Sequence, residues 1–168
     1  MKINKLLLIT FFTAFATIVN AQVKWLTFEE AVAKAQIDPK PIFIDVYTDW
    51  CGWCKKMDAA TFNNEKVAKV LQNDFYPVKF NAEQKESIEF NNHTFQFVAS
   101  GRNGYNELAV ALLDSKLSYP SVVFLNEKME RITILPGYRG PDEFYPILTF
   151  IGSGSYKTQS FEEYQKGL

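Results

Sequence analysis

The chain has 168 residues, with 18 Lys and Arg against 19 Asp and Glu, and a formal net charge of −1 at pH 7. That length holds one domain with a proper core rather than two. The near-neutral balance, with no basic stripe, zinc-finger spacing or arginine-rich arm, sets nucleic acid aside as a partner.

Residues 1–21 read as a signal peptide. Lys2 and Lys5 precede an apolar run from Leu6 to Val19, which closes on Val19-Asn20-Ala21. The run is shorter than the roughly 20 residues a membrane-spanning helix needs. No cysteine stands at the cleavage point to carry a lipid. The expectation is an exported protein that begins near Gln22, periplasmic in a double-membraned bacterium and secreted otherwise.

Thr27-Phe28-Glu29-Glu30 has the pattern of a helix capping box, and Phe28, Ala31, Val32 and Ala35 supply an apolar face to about Ile37. Asp38-Pro39-Lys40-Pro41 stops that helix. Ile42 to Tyr47 is nearly all apolar, as in a strand buried on both faces, and its one charge is Asp45. Cys51 to Met57 reads as the start of a helix, and Val67, Val70 and Leu71 mark another after Asn63-Asn64. Phe75 to Phe80 is a strand. Residues 86–98 read as one hairpin turning at Asn91-Asn92-His93, Gly101 to Gly104 as loop, and Tyr105 to Leu113 as helical in period. Ser121–Leu125 and Ile132–Leu135 are strands joined by Asn126-Glu127-Lys128. Pro141 opens a helix carrying Phe144, Ile147, Leu148 and Ile151. Ser160-Phe161-Glu162-Glu163 repeats the capping pattern, so a short terminal helix is expected. Together these elements predict one α/β domain, a mixed sheet flanked by helices.

The chain has two cysteines, Cys51 and Cys54. A disulfide closing so small a loop removes little chain entropy, so it is poorly explained as a staple. Reactivity or metal binding remains. At the first turn of a helix, unpaired N–H groups and the helix dipole stabilise a thiolate, which is the attacking species. Cys51 is therefore the expected nucleophile. Cys54, one turn further in, is the expected resolving thiol. Lys55 and Lys56 add positive charge nearby.

The stretch Ile42 to Met57 resembles the strand and active-site turn of the thioredoxin superfamily. Asp45, six residues before Cys51, stands where that family places a buried acid beneath the second cysteine. Lys79 matches the lysine that partners this acid. Tyr119-Pro120 matches the cis-proline loop, and Gly137 a glycine beyond the last strand. The resemblance covers most of residues 23–152. It implies a thioredoxin-like domain over 22–152, an elaboration over about 82–104 that includes the hairpin before the cis-proline strand, and a tail over 153–168. It further implies that Asp45 takes the proton of Cys54, that Pro120 is cis and faces Cys51, and that the backbone of Tyr119 offers an edge to an extended substrate. A purely structural Asp45–Lys79 pair is the alternative.

Trp50, Gly52 and Trp53 flank the cysteines, and with Tyr119 they form the expected substrate-contacting surface. Gly52-Trp53 departs from the Gly-Pro of thioredoxins, at a position that helps set the reduction potential. His93 is expected in the hairpin turn without a catalytic part. Gly101-Arg102-Asn103-Gly104 lacks the spacing and lysine of a phosphate loop.

The resemblance implies a thiol–disulfide oxidoreductase that needs no cofactor. It would act on exported proteins carrying thiols or disulfides, as reductant or isomerase rather than strong oxidant. A reductant outside the cytoplasm would also need a membrane electron donor. Two other classes stay open. Cys51, Cys54 and Met57 could hold a soft ion such as Cu(I), whereas zinc lacks ligands and c-type haem fails because Lys55 stands where histidine is required. A non-catalytic binding module on the same scaffold is the other.

Overall fold

The structure is a computed structural model that describes residues 22–101 and 103–167. The segment read as a signal peptide lies outside them. The central sheet has four strands: β1 (Ile42–Tyr47), β2 (Tyr76–Asn81), β7 (Ser121–Leu125) and β8 (Arg131–Pro136), in the order β2-β1-β7-β8. β1 runs parallel to β2 and antiparallel to β7, and β7 antiparallel to β8. The C-terminal ends of β1, β2 and β8 thus share one end of the sheet with the start of β7.

β1 is apolar throughout because helices cover both its faces. On one side Ile42, Ile44 and Val46 pack with Phe28, Ala31 and Ala35 of α1 (Phe28–Ile37). Leu108, Ala109 and Leu112 of α4 (Glu107–Leu112) complete that side. On the other, Phe43 packs with Met57 of α2 (Gly52–Met57), with Val67 and Leu71 of α3 (Glu65–Asp74), and with Phe144 and Leu148 of α5 (Pro141–Gly152). Strand side chains alternate between faces, so Asp45 shares the side of Phe43 and α2. The expected mixed sheet flanked by helices is present.

Both predicted capping boxes form, at Thr27 with Glu30 and at Ser160 with Glu163; the second opens α6 (Phe161–Lys166). After α2 the chain continues as a π-helical turn over Asp58–Phe62 before Asn64 caps α3.

The segment between β2 and β7 differs from the sequence reading. It holds two hairpins, β3 (Ile88–Phe90) with β4 (His93–Phe95), and β5 (Phe97–Ser100) with β6 (Asn103–Asn106). The first turns on Asn91 and Asn92, both at positive φ, a conformation asparagine tolerates. His93 begins β4, opposite Phe90, instead of lying in the turn. The second hairpin replaces the expected Gly101–Gly104 loop and takes Tyr105 from the expected helix. Gly104 permits it: a Cβ there would lie 2.2 Å from the Phe97 ring and 2.6 Å from the Val98 carbonyl oxygen. α4 therefore starts late, capped by Asn106, whose side chain accepts from the Leu108 amide.

Candidate active site

Cys51 is the N-cap of α2, immediately beyond the loop that leaves β1, and it is joined to Cys54 by a disulfide. The amide of Cys54 donates to Cys51 Sγ at 3.1 Å, so the sulfur occupies the place where a capping oxygen would accept. Both cysteines are largely shielded, at 5 % and 2 % exposure. The fold therefore aims an orphan helix amide at the outer sulfur, the arrangement that stabilises a thiolate there once the disulfide opens.

Beneath α2 lies a charged cluster. Asp45 and Lys79 are register partners on β1 and β2, and Lys79 Nζ donates to Asp45 Oδ2 at 2.5 Å. Lys79 also donates to Asp58, the C-cap of α2, which the sequence reading did not single out. The ammonium is ringed by Tyr47, Trp25 and Phe62, at 4.9, 5.1 and 5.6 Å from the ring centres. Asp45 is 1 % exposed, and its Oδ1 has no hydrogen-bond partner among the described residues. Burial pushes its carboxyl up to about 6; the charge and hydrogen bond of Lys79 pull it down, and Asp58 adds a smaller upward push. Burial lowers the ammonium of Lys79, but the two carboxylates outweigh it and its pKa is raised. The side chain of Asp58 is 41 % exposed, so the cluster runs from a buried acid to one in contact with water.

Tyr119-Pro120 is cis, and Pro120 leads directly into β7, whose Ser121 is paired with Val46 near the end of β1. Gly137, at φ 86°, follows β8, and its amide donates to the Pro120 carbonyl at 2.8 Å. Glycine adopts that backbone without the steric cost of a Cβ. Cys51, Cys54 and Pro120 thus belong to one end of the sheet, with Asp45 and Lys79 below.

The expected substrate-contacting residues divide into two groups. Trp50 is 62 % exposed; its indole N–H donates to Glu83 at 2.9 Å, and its ring meets Tyr119 edge-on at 6.1 Å. Burial and the charge of Glu83 raise the Tyr119 hydroxyl to about 12. Trp53 is 57 % exposed and leans on Tyr138 at 5.4 Å, with Lys56 Nζ 4.6 Å above its ring. Gly52 is open to solvent between them. The sequence did not mark Asp58, Glu83 or Tyr138, because each acts through an element far along the chain from the residue it touches.

The model of the Thioredox_DsbH family, described as "Protein of unknown function, DUF255", matches residues 13–135. Human spermatogenesis-associated protein 20 is 34 % identical over 77 residues, which are 46 % of this chain and 10 % of that protein. The thiol:disulfide interchange protein DsbD of Yersinia enterocolitica is 34 % identical over 59 residues, 31 % of this chain and 10 % of that protein. The chain thus spans about a tenth of the length of these curated relatives. A solved structure described as DsbH oxidoreductase superposes with a TM-score of 0.59 at 16 % identity, covering 89 % of this chain and 95 % of that one. At that identity the likeness is one of fold. With the family model spanning most of its length, the chain is a thioredoxin-fold member of the Thioredox_DsbH family, carrying a Cys-x-x-Cys disulfide beyond its central strand.

Proposed function

We propose that the protein is a thiol–disulfide oxidoreductase acting on exported proteins, as a reductant or isomerase rather than a strong oxidant. The observation that carries this is the seating of Cys51: a helix cap whose sulfur accepts a backbone amide, above a buried carboxyl with a raised pKa. In the reducing direction the Cys51 thiolate attacks one sulfur of a substrate disulfide. That S–S bond breaks, a Cys51–substrate bond forms, and the displaced thiolate takes a proton from water. Cys54 then gives its proton to Asp45 and attacks Cys51 Sγ, closing the protein's own disulfide and releasing the second substrate thiol. The substrate gains two electrons and the protein loses them.

Strong oxidants rely on a thiolate of very low pKa. Here Gly52 and Trp53 between the cysteines carry no charge, so they add nothing to the helix cap that would hold the thiolate lower still. Export rests on the pattern of Lys2, Lys5 and the apolar run to Val19. Each reductive turnover leaves the pair oxidised, so a membrane dithiol partner would return two electrons. Similarity to a protein named thiol:disulfide interchange protein supports that pairing.

An equilibrium redox titration followed by Trp50 and Trp53 fluorescence tests the reading. The expected result is a reversible two-electron couple nearer the ~−270 mV of thioredoxin than the ~−120 mV of DsbA. Absence of any reversible couple, or disulfide exchange that survives Cys51→Ser, would overturn it.

A further inference from the structure

We propose that the rim of the Cys51–Cys54 site is sorted by charge, and that it takes an extended polypeptide bearing a basic residue on one side of its cysteine and an acidic residue on the other. The inference rests on the oxidoreductase reading and names the substrate class of that site.

The argument starts from the strand order. β2 and β8 are opposite edges of the sheet, and their C-terminal ends lie at the site. Glu83 comes just after β2, and Tyr138 just after β8. Trp50 is tied to the β2 side by its hydrogen bond to Glu83, and Trp53 leans on Tyr138 at the β8 side. Trp50 also meets Tyr119 ahead of β7, so the two indoles part towards different neighbours, Trp50 to Glu83 and Tyr119 and Trp53 to Tyr138. Between the edges of the sheet there are three interstrand spacings, about 14 Å, so both sets of neighbours fall within the reach of roughly four extended residues.

The charged side chains that touch the two indoles differ in sign, Glu83 on Trp50 and Lys56 on Trp53, although Lys85 lies two residues beyond Glu83 and Glu143 pairs with Arg139 beside Tyr138. On the β2 side stand Glu83 and Asp49, the latter accepting from Asn81 at 3.2 Å. On the β8 side Lys56 lies over Trp53 at 4.6 Å and over Tyr138 at 5.1 Å. Among the described residues neither Glu83 nor Lys56 is in an ion pair, and Glu83 Oε2 accepts no hydrogen bond, so each is available to an incoming charge. The exposed rings beside them suit the occupant too: the Trp50 ring can carry the aliphatic stem of a lysine or arginine whose head meets Glu83. A segment with its cysteine at Cys51 then places residues about two positions away on these two patches. Like charges at both ends leave one patch facing its own sign.

The test uses the reduced protein and four peptides, each with one cysteine in a mixed disulfide with thionitrobenzoate. The peptides are neutral except two positions before and two after the cysteine, which carry Lys/Glu, Glu/Lys, Lys/Lys or Glu/Glu. Attack by Cys51 forms the peptide–Cys51 disulfide and releases coloured thionitrobenzoate, and Cys54 then frees the peptide thiol. At low ionic strength one of the two mixed orders should exceed both like-charged peptides in the second-order rate constant of this single turnover by ~2- to 5-fold, as exposed charge pairs allow. Glu83→Gln should erase the preference for lysine, and Lys56→Gln the preference for glutamate. Equal rate constants for all four peptides, with release still dependent on Cys51, overturn the charge sorting alone, as does a preference that both variants keep. If the protein is no faster than its Cys51→Ser variant on every peptide, the oxidoreductase reading fails and this inference fails with it.

Discussion

A carboxyl group with one oxygen on Lys79 and the other without a partner holds its proton at a pH where surface carboxylates have lost theirs. Asp45 titrates near 6 in the folded chain, against 3.8 for the group in water. Between those values the native state binds more of this proton than the unfolded state, so the contribution of Asp45 to stability falls as pH rises through the window. The whole effect is about 3 kcal/mol and is complete above the folded value. Asp45→Asn removes it. Urea midpoints of the two proteins should therefore diverge from pH 4 to pH 7 in favour of the variant, and a difference that stays flat would place the titration elsewhere. The same proton bears on the proposed chemistry, because only the ionised carboxylate can accept from Cys54. Sequence could mark Asp45 as odd, a lone charge in an apolar strand, and the resemblance supplied Lys79. Asp58 escaped notice because its link to Lys79 exists only once the end of α2 lies over β2.

The two hairpins are held to the site by Asn106. Its amide donates to the Ala82 carbonyl, its side-chain nitrogen donates to Glu86 and more weakly to Gln84, and its side-chain oxygen accepts from Leu108. That one buried side chain fixes the 82–86 segment carrying Glu83, and so the anchor of Trp50. Asn106→Ala should cost about 2–3 kcal/mol from its lost hydrogen bonds, read as a lower denaturation midpoint. It should also change Trp50 fluorescence in the native baseline. The first hairpin was legible because Asn91-Asn92 is a turn that asparagine makes well between alternating apolar residues. The second was not: Leu108, Ala109 and Leu112 impose a helical period that spreads backwards over Tyr105 and Asn106. The close approach of Gly104 to Phe97 is invisible without the pairing.

Across the whole molecule the core on the α2 side is built around one ring. Phe43 meets Trp25, Phe62, Phe75, Phe124 and Phe144 with ring centres between 5.4 and 6.4 Å apart. These residues come from β1, the π turn, the end of α3, β7, α5 and the segment ahead of α1. Phe43→Ala should cost about 3–5 kcal/mol in chemical denaturation, because no single neighbour can move in to fill the space. The sequence by itself determined the fold class, the boundaries of most elements and the Cys51–Cys54 pair, since period, caps and spacing are local properties written along the chain. Only the tertiary structure decided that Lys79 serves two carboxylates and that the indoles of Trp50 and Trp53 part towards Glu83 and Tyr138. Those contacts join residues 21 to 85 positions apart, and strand order and register, rather than local pattern, bring such residues together.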